Sequence, residues 1–243
     1  NRDDYIISTP DSRPKAQTLF DTEFGYDFRI ENFAFNFVFY NMKYDNQLIQ
    51  TGALNSVGEE IRTNVKDSYR RGIELMFTWR PANWFEWNLN TTLSQNKIKN
   101  HTEYIDNWNT WSKDTLQLGT TDLVFSPAII GGSQLTFTVF QSKANKKGKE
   151  NSLFISLISK YVGKQFIDNT SSDKRSIAPY FVNDIRLNFN MQNVGFKNLE
   201  IIALVRNVFD VNYVSSAWVY KYNLEGSTKV LDGLFPQAGI NFM

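Results

Sequence analysis

Between residues 84 and 98 the chain reads WFEWNLNTTLSQNKI, and apolar and small polar side chains alternate through it with hardly a break. Side chains of an extended strand point to opposite faces in turn, so Phe85, Trp87, Leu89, Thr91 and Leu93 share one face. Glu86, Asn88, Asn90, Thr92 and Ser94 share the other. About fourteen residues at roughly 3.3 Å each span on the order of 46 Å, whereas strands of ordinary domains run about 5–6 residues. A strand that stays greasy on one side and wet on the other for that distance has something thick to cross.

The pattern recurs. In LFDTEFGYDFRI, Phe20, Thr22, Phe24, Tyr26, Phe28 and Ile30 lie on one face and Asp21, Glu23, Gly25, Asp27 and Arg29 on the other. FAFNFVFYNMKY follows after two or three residues and aligns Phe33, Phe35, Phe37 and Phe39, which makes the two runs a hairpin. Further strands are expected at about 67–79, 84–98, 129–141, 152–166, 179–190, 199–213 and 234–243, for about nine antiparallel strands and no sustained helical period. The connections alternate. Those near 31–33 and 80–83 are short, those at 51–66, 99–128, 167–178 and 214–233 are long, and those at 142–151 and 191–198 are moderate.

Short turns at one end and long loops at the other, with apolar-out and polar-in strands, are the signature of an outer-membrane β-barrel. Phe33, Trp79, Trp84, Phe85 and Trp87 beside the short turns, and Tyr40, Tyr44 and Tyr69 towards the long loops, fit the two interfacial aromatic girdles. Phe24, Phe37, Phe77, Trp87 and Leu89 are then expected to face lipid, and Glu23, Glu74, Asn88 and Asn90 the lumen. Nine strands do not close an antiparallel barrel of the usual even number, so the chain is expected to be a partial barrel over residues 1–243, with its earlier strands before residue 1.

Composition removes other classes. A formal net charge of +1 argues against phosphate-driven nucleic-acid binding. The chain has no Cys and a single His, which removes disulfides and thiolate sites and leaves little for a metal or acid–base cluster. No nucleophile, base and orienting group can be assembled, so no enzyme, cofactor or metal centre is expected. There is no apolar run of 18 residues for a membrane helix. The opening NRDDYIISTPDSRPKAQ lacks the layout of a signal peptide, which leaves an intracellular protein or a mature or truncated piece.

RNVFDVNYVSSAWVY at 206–220 and GLFPQAGINF at 233–242 resemble the C-terminal end of TonB-dependent outer-membrane receptors, above all those of Bacteroidetes type. RPKAQTLFDTEFGY, IRTNVKDSYRRGIEL, LSQNKIKNHTEYIDNW, FSPAIIGGSQLTFT and SKYVGKQFIDNTSS resemble consecutive stretches of the same barrel. The resemblance implies the last strands of a 22-stranded barrel whose lumen is plugged by an N-terminal domain. The plug and TonB box have no counterpart in this sequence. It further implies a Gram-negative outer-membrane importer of a scarce nutrient, a metal chelate such as an iron-siderophore rather than a glycan, energised through the TonB complex. A passive porin or an adhesion barrel is the alternative. The family usually continues past INFM to a terminal aromatic, which is the one departure at this end.

Within that frame Asn207 and Asp210 read as turn residues that bond local backbone, and Pro236 and Gly239 as the opening of the last strand. Asp21, Glu23 and Asp27 read as lumen polarity, and Lys143, Lys146, Lys147 and Lys149 as a solvated basic turn. His101 with Glu103 and Asp106 is too sparse for a metal site. Ligand recognition, if carried by the long loops, falls to their cations and flat rings: Arg62, Lys66, Tyr104, Trp108, Trp111, Lys174, Arg175, Trp218 and Tyr220.

Overall fold

The computed structural model describes residues 14–54, 60–142, 151–192 and 197–243. Alternation is resolved there into strands β1 (Thr18–Ile30), β2 (Phe33–Leu54), β3 (Glu60–Ala82), β4 (Phe85–Asn107), β5 (Ser112–Asp122), β6 (Ile129–Gln141) and β7 (Ser152–Val162). They are followed by β8 (Gln165–Phe166), β9 (Ser176–Ile177), β10 (Tyr180–Met191), β11 (Leu199–Arg206), β12 (Val214–Leu224), β13 (Ser227–Pro236) and β14 (Asn241–Phe242). The main sheet runs β1-β2-β3-β4-β6-β7-β10-β11-β14, nine strands as expected, each antiparallel to its neighbours. β1 pairs only with β2, and β14 only with β11, so the described sheet is open.

Cross-strand rows show why the period-two pattern holds the sheet. Phe24, Phe39, Ile73 and Leu93 lie opposite one another on successive strands, as do Phe28, Phe35, Phe77 and Leu89. On the other face Glu23, Tyr40, Gly72 and Ser94 form one row and Asp27, Asn36, Met76 and Asn90 another. The apolar face is unburied on its outer side but covered laterally. Phe24 near the free edge is 64% exposed, while Phe37, Phe77, Trp87 and Leu89 are half-buried by their neighbours in the same face. Phe28–Phe33, Phe33–Phe77 and Phe77–Trp87 centroids are 6.3, 6.3 and 4.7 Å apart, a continuous aromatic belt beside the two-residue turns at 31–32 and 83–84. Such ring pairs add about 0.5–1.5 kcal/mol each beyond area burial.

The polar face is knitted by its own hydrogen bonds. Asn36 Nδ2 donates to Asp27, Thr78 Oγ1 and Arg80 Nε to the Asn88 and Glu86 side chains, and Asn188 Nδ2 to Glu200. Tyr40 belongs to this face and not to an aromatic girdle: a Cβ at Gly72 would overlap the Tyr40 hydroxyl and the Leu93 carbonyl, so the phenol lies over a glycine that leaves it room.

Three expected loops are strands. β2 and β3 run on into 51–66, β4 continues to Asn107 and returns as β5, and 214–236 is the β12–β13 hairpin. The last expected strand, 234–243, is divided instead: Pro236 ends β13, and β14 pairs with β11 only through Asn241 and Phe242. Lacking an N–H, Pro236 cannot extend the ladder, and Gln237 N turns to Tyr213 O at 2.9 Å. β7 likewise stops at Val162 and β11 at Arg206, where Asn207 takes a left-handed φ of 52°. The basic turn Lys143, Lys146, Lys147 and Lys149 lies outside the described residues.

Among the described residues most of the buried apolar side chains sit in these arms, with Tyr40, Val162 and Val182 of the sheet buried as well. Ile49, Ile98 and Leu123 form one cluster with Val65 against it, and Ile167, Ile177, Ala217 and Val219 another. The arms are therefore a small packed body carried on one end of the sheet.

Candidate functional site on the outer arms

Three segments meet at the long-arm end: the upper part of β4 with β5, the β12–β13 hairpin, and residues 163–179 with the short β8–β9 ladder. β12 lies parallel to β4, with Tyr222 opposite Asp106 and Asn223 opposite Asn107. Alternation in VSSAWVYKYNL divides β12 into two working faces. Ala217 and Val219 pack on Ile167 and Ile177. Trp218, Tyr220 and Tyr222 occupy the opposite face.

Lys221 continues the buried face, and this is possible only because carboxylates meet it. Its ammonium pairs with Glu103 of β4 and with Asp168 at 2.9 Å, and the Lys221 side chain is 11% exposed. Asp168 also accepts from Arg175 Nε at 2.5 Å, and Arg175 donates to Thr170 Oγ1 at 2.6 Å. Two cations therefore face two carboxylates in one enclosure, a balance that buried charges require. Burial pushes the Lys221 ammonium down to about 8, which leaves it cationic at neutral pH against its two acidic partners. His101 is buried in the same enclosure with no hydrogen-bond partner on Nδ1. Burial lowers its pKa, with Asp168 opposing and Lys221 reinforcing the shift.

The opposite face of β12 is a stack of rings. Trp108 lies on Tyr222 at 3.9 Å and 16°, with Tyr220 5.7 Å from Tyr222. Tyr220 donates its hydroxyl to Asp106 at 3.1 Å; burial first, and the Asp106 carboxylate after it, raise its pKa. The β4–β5 turn is braced by Asn107, whose Oδ1 accepts from Asn109 N and Thr110 N. Asn107 and Asn223 both donate to Asp114, which ties the two hairpins together.

The residues singled out in the sequence divide into four groups. Lys66 and Tyr104, from separate long connections, line one cleft of about 450 Å³ between β3 and β4. Trp108 and Trp111 line another of about 230 Å³ at the β4–β5 tip. Arg62 and Lys174 are exposed and stand apart from these clefts. Arg175, Tyr220 and Trp218 are structural in their contacts: Arg175 holds Asp168, Tyr220 holds Asp106, and the Trp218 indole covers Gly233, where a Cβ would overlap it. Glu103 and Asp106 do not gather around His101 as ligands, since Glu103 is taken by Lys221 and Asp106 by Tyr220. Sequence reasoning missed Lys221, Asp168 and Tyr222. Tyr222 had a readable signal, the period of two after Trp218 and Tyr220; Lys221 and Asp168 had none, because they meet across 53 residues.

An antiparallel sheet with an apolar outer face, a hydrogen-bonded polar face, short turns at one end and packed arms at the other defines part of an outer-membrane β-barrel. The family model described as TonB dependent receptor-like, beta-barrel, matches residues 4–208, and the chain belongs to that family. No curated protein sequence matches it. Among solved structures it is similar in fold to the ferric yersiniabactin uptake receptor FyuA from Yersinia pestis, at 17% identity and TM-score 0.57, over 93% of this chain and 29% of that one. It is similar to the ferric-catecholate import receptor Fiu from K12 E. coli at 15% identity and TM-score 0.58, over 94% and 27% of the two chains. For the ferric preacinetobactin receptor BauA from Acinetobacter baumannii the values are 14%, 0.61, 93% and 28%. The chain thus spans less than a third of the length of each of these receptors. It is an outer-membrane protein of a family of transport receptors and not of enzymes.

Proposed function

We propose that the chain is the C-terminal part of an active-transport receptor that imports a metal chelate, such as an iron-siderophore, with energy delivered through TonB. Preceding strands and a plug complete the barrel in this reading. The observation that supports it is the set of rings and cations on the long-arm end, where Lys66 and Tyr104 line one cleft and Trp108 and Trp111 another. Passive diffusion requires no such surface, whereas capture of a scarce solute requires preorganised anchors. Arg62 and Lys174 supply further positive charge to an anionic chelate, while Arg175, Trp218 and Tyr220 keep the surface in shape.

The test is growth and uptake with defined iron chelates under iron limitation, in cells carrying the full-length receptor with and without TonB. Uptake of a chelate that requires both is expected. Uptake that survives loss of TonB would mark a passive barrel instead.

A further inference from the structure

We propose that the fork between β3 and β4 on the outer arms is a docking site for an extended acidic peptide, which adds to the two facing strand edges as a further strand. The inference goes beyond the import reading and does not depend on it.

The fork opens at a bulge. β3 and β4 pair up to Ser68 opposite Ile98 and no further. Just beyond, Asn100 takes a left-handed φ of 50°, a conformation that asparagine tolerates, and the β4–β5 register shifts on either side of His101. A bulge bends its strand, and β4 leaves β3 here. Each strand keeps its other neighbour. β3 still pairs with β2 from Val65 opposite Gln47 to Arg62 opposite Gln50, and β4 with β5 from Thr102 opposite Gln117 to Asn107 opposite Ser112. Among the described residues, no backbone bond reaches the sides of 62–67 and 99–105 that face each other.

Two facing rows of unpaired N–H and C=O groups are a template for strand addition. The same edge of β4 already takes a strand slightly higher, where Tyr222 and Asn223 of β12 pair in parallel with Asp106 and Asn107. Below that closure the vacant edge runs over 99–105, about 23 Å of extended chain at roughly 3.3 Å per residue. The cleft it borders measures about 450 Å³, and its lining defines what the strand carries. Lys99 is held by Asp67 at 3.0 Å, whereas exposed Lys66 has no acidic partner among the described residues, so the cleft presents one uncompensated cation. A carboxylate on the incoming strand complements it. Tyr104, 55% exposed, offers a flat apolar face to a neighbouring side chain. His101 lines the cleft as well; it is 8% exposed and its Nδ1 bonds nothing among the described residues. A buried polar atom of this kind calls for a partner, and the main chain of an inserted peptide brings one.

The experiment titrates purified full-length receptor with a labelled peptide of about seven residues, the length of the vacant edge, with threonine and valine alternating around a central glutamate. Fluorescence anisotropy reads binding and hydrogen exchange reads its place. Saturable binding is expected, with amides in both 62–67 and 99–105 slowed by the peptide. N-methylated throughout, the same peptide cannot donate to either edge and is expected not to bind. Lysine in place of the glutamate should weaken binding by about fivefold or more, and Lys66→Glu should reverse that preference with barrel assembly unchanged. Failure to saturate, binding that survives N-methylation, or protection that spares either edge overturns the site. Amides of both edges already protected in the peptide-free receptor would give the fork to another segment of the receptor itself, and overturn it equally. TonB-requiring chelate uptake by a receptor that binds no peptide removes only the docking site; peptide binding by a receptor that imports no chelate removes only the import reading.

Discussion

Asn207 shows how much one side chain can organise. It is 3% exposed at the top of β11, and its Nδ2 donates to Val211 O and Ala238 O while its Oδ1 accepts from Val211 N. One carboxamide therefore closes the turn into β12 and holds the segment that enters β14. Asp210 completes the knot by accepting from Ile240 N, against Gly239, where any Cβ would overlap its carboxylate. Asn207→Ala removes the bonds to Val211 and Ala238 and puts Ala at positive φ, which at about 1 kcal/mol for the lost bonding and about 1–2 kcal/mol for the backbone predicts a loss of roughly 2–3 kcal/mol. Denaturant unfolding of the assembled barrel measures it; a loss below about 1 kcal/mol would mean the turn is held by other contacts. The turn itself was legible in RNVFD because its bonds to Val211 are local, whereas its ties to Ala238 and Ile240 were not. Lys221 was not: an isolated Lys in YKY signals nothing until Glu103 and Asp168 are brought to it.

At the scale of elements, the β12–β13 hairpin is joined to β4 by few backbone bonds, so side chains decide whether it stays docked. Lys221→Met removes the ammonium and leaves Glu103 buried without its counter-charge. Breaking a buried pair from one side typically costs about 3–5 kcal/mol. Limited proteolysis within 214–236 should accelerate markedly in Lys221→Met and much less in the double variant Lys221→Met, Glu103→Gln, where the stranded charge is gone as well. Equal acceleration in both would assign docking to the apolar contacts of Ala217 and Val219 instead. His101 adds a dependence on pH. Its pKa in the docked state lies below the ordinary 6.5, so between those two values the undocked arm binds a proton that the docked arm does not. Docking is therefore full above pH 6.5 and weakens as pH falls below it. Lys221, Glu103, Asp168 and Arg175 share the enclosure, but Lys221 keeps its charge throughout this range because it loses it only near 8. Hydrogen exchange of 214–224, corrected for intrinsic rates, should rise on acidification in the wild type and not in His101→Gln. The arms were the least legible elements. Their strands continue the same pairing as the sheet, yet without lipid on one side the apolar and polar residues no longer segregate strictly, and the period that located β1 to β4 fades beyond Ile98 and Ser68.

At the scale of the molecule, the nine-strand path and its two faces were readable because lipid imposes one rule on every spanning strand. What the rule cannot specify is where the sheet's edges lead. β1 is exposed along all 13 residues and bonds only β2, so every second backbone group points away from any described partner. Such groups cost several kcal/mol each in hydrocarbon, and a free edge of 13 residues will pair with whatever strand is available. In vesicles holding this chain alone, the available strand is β1 of a second copy. The absence of cysteine makes this simple to read. Thr22→Cys, in the middle of β1, is expected to form intermolecular disulfides under mild oxidation, whereas Thr92→Cys, on the polar face of the central strand β4, is not. In the full-length receptor of the proposed reading, a preceding strand covers β1 and the Thr22→Cys cross-link disappears. Cross-linking at Thr22 that is equally strong in the full-length receptor would show that the β1 edge stays open there, and would overturn the placement of further barrel strands before it.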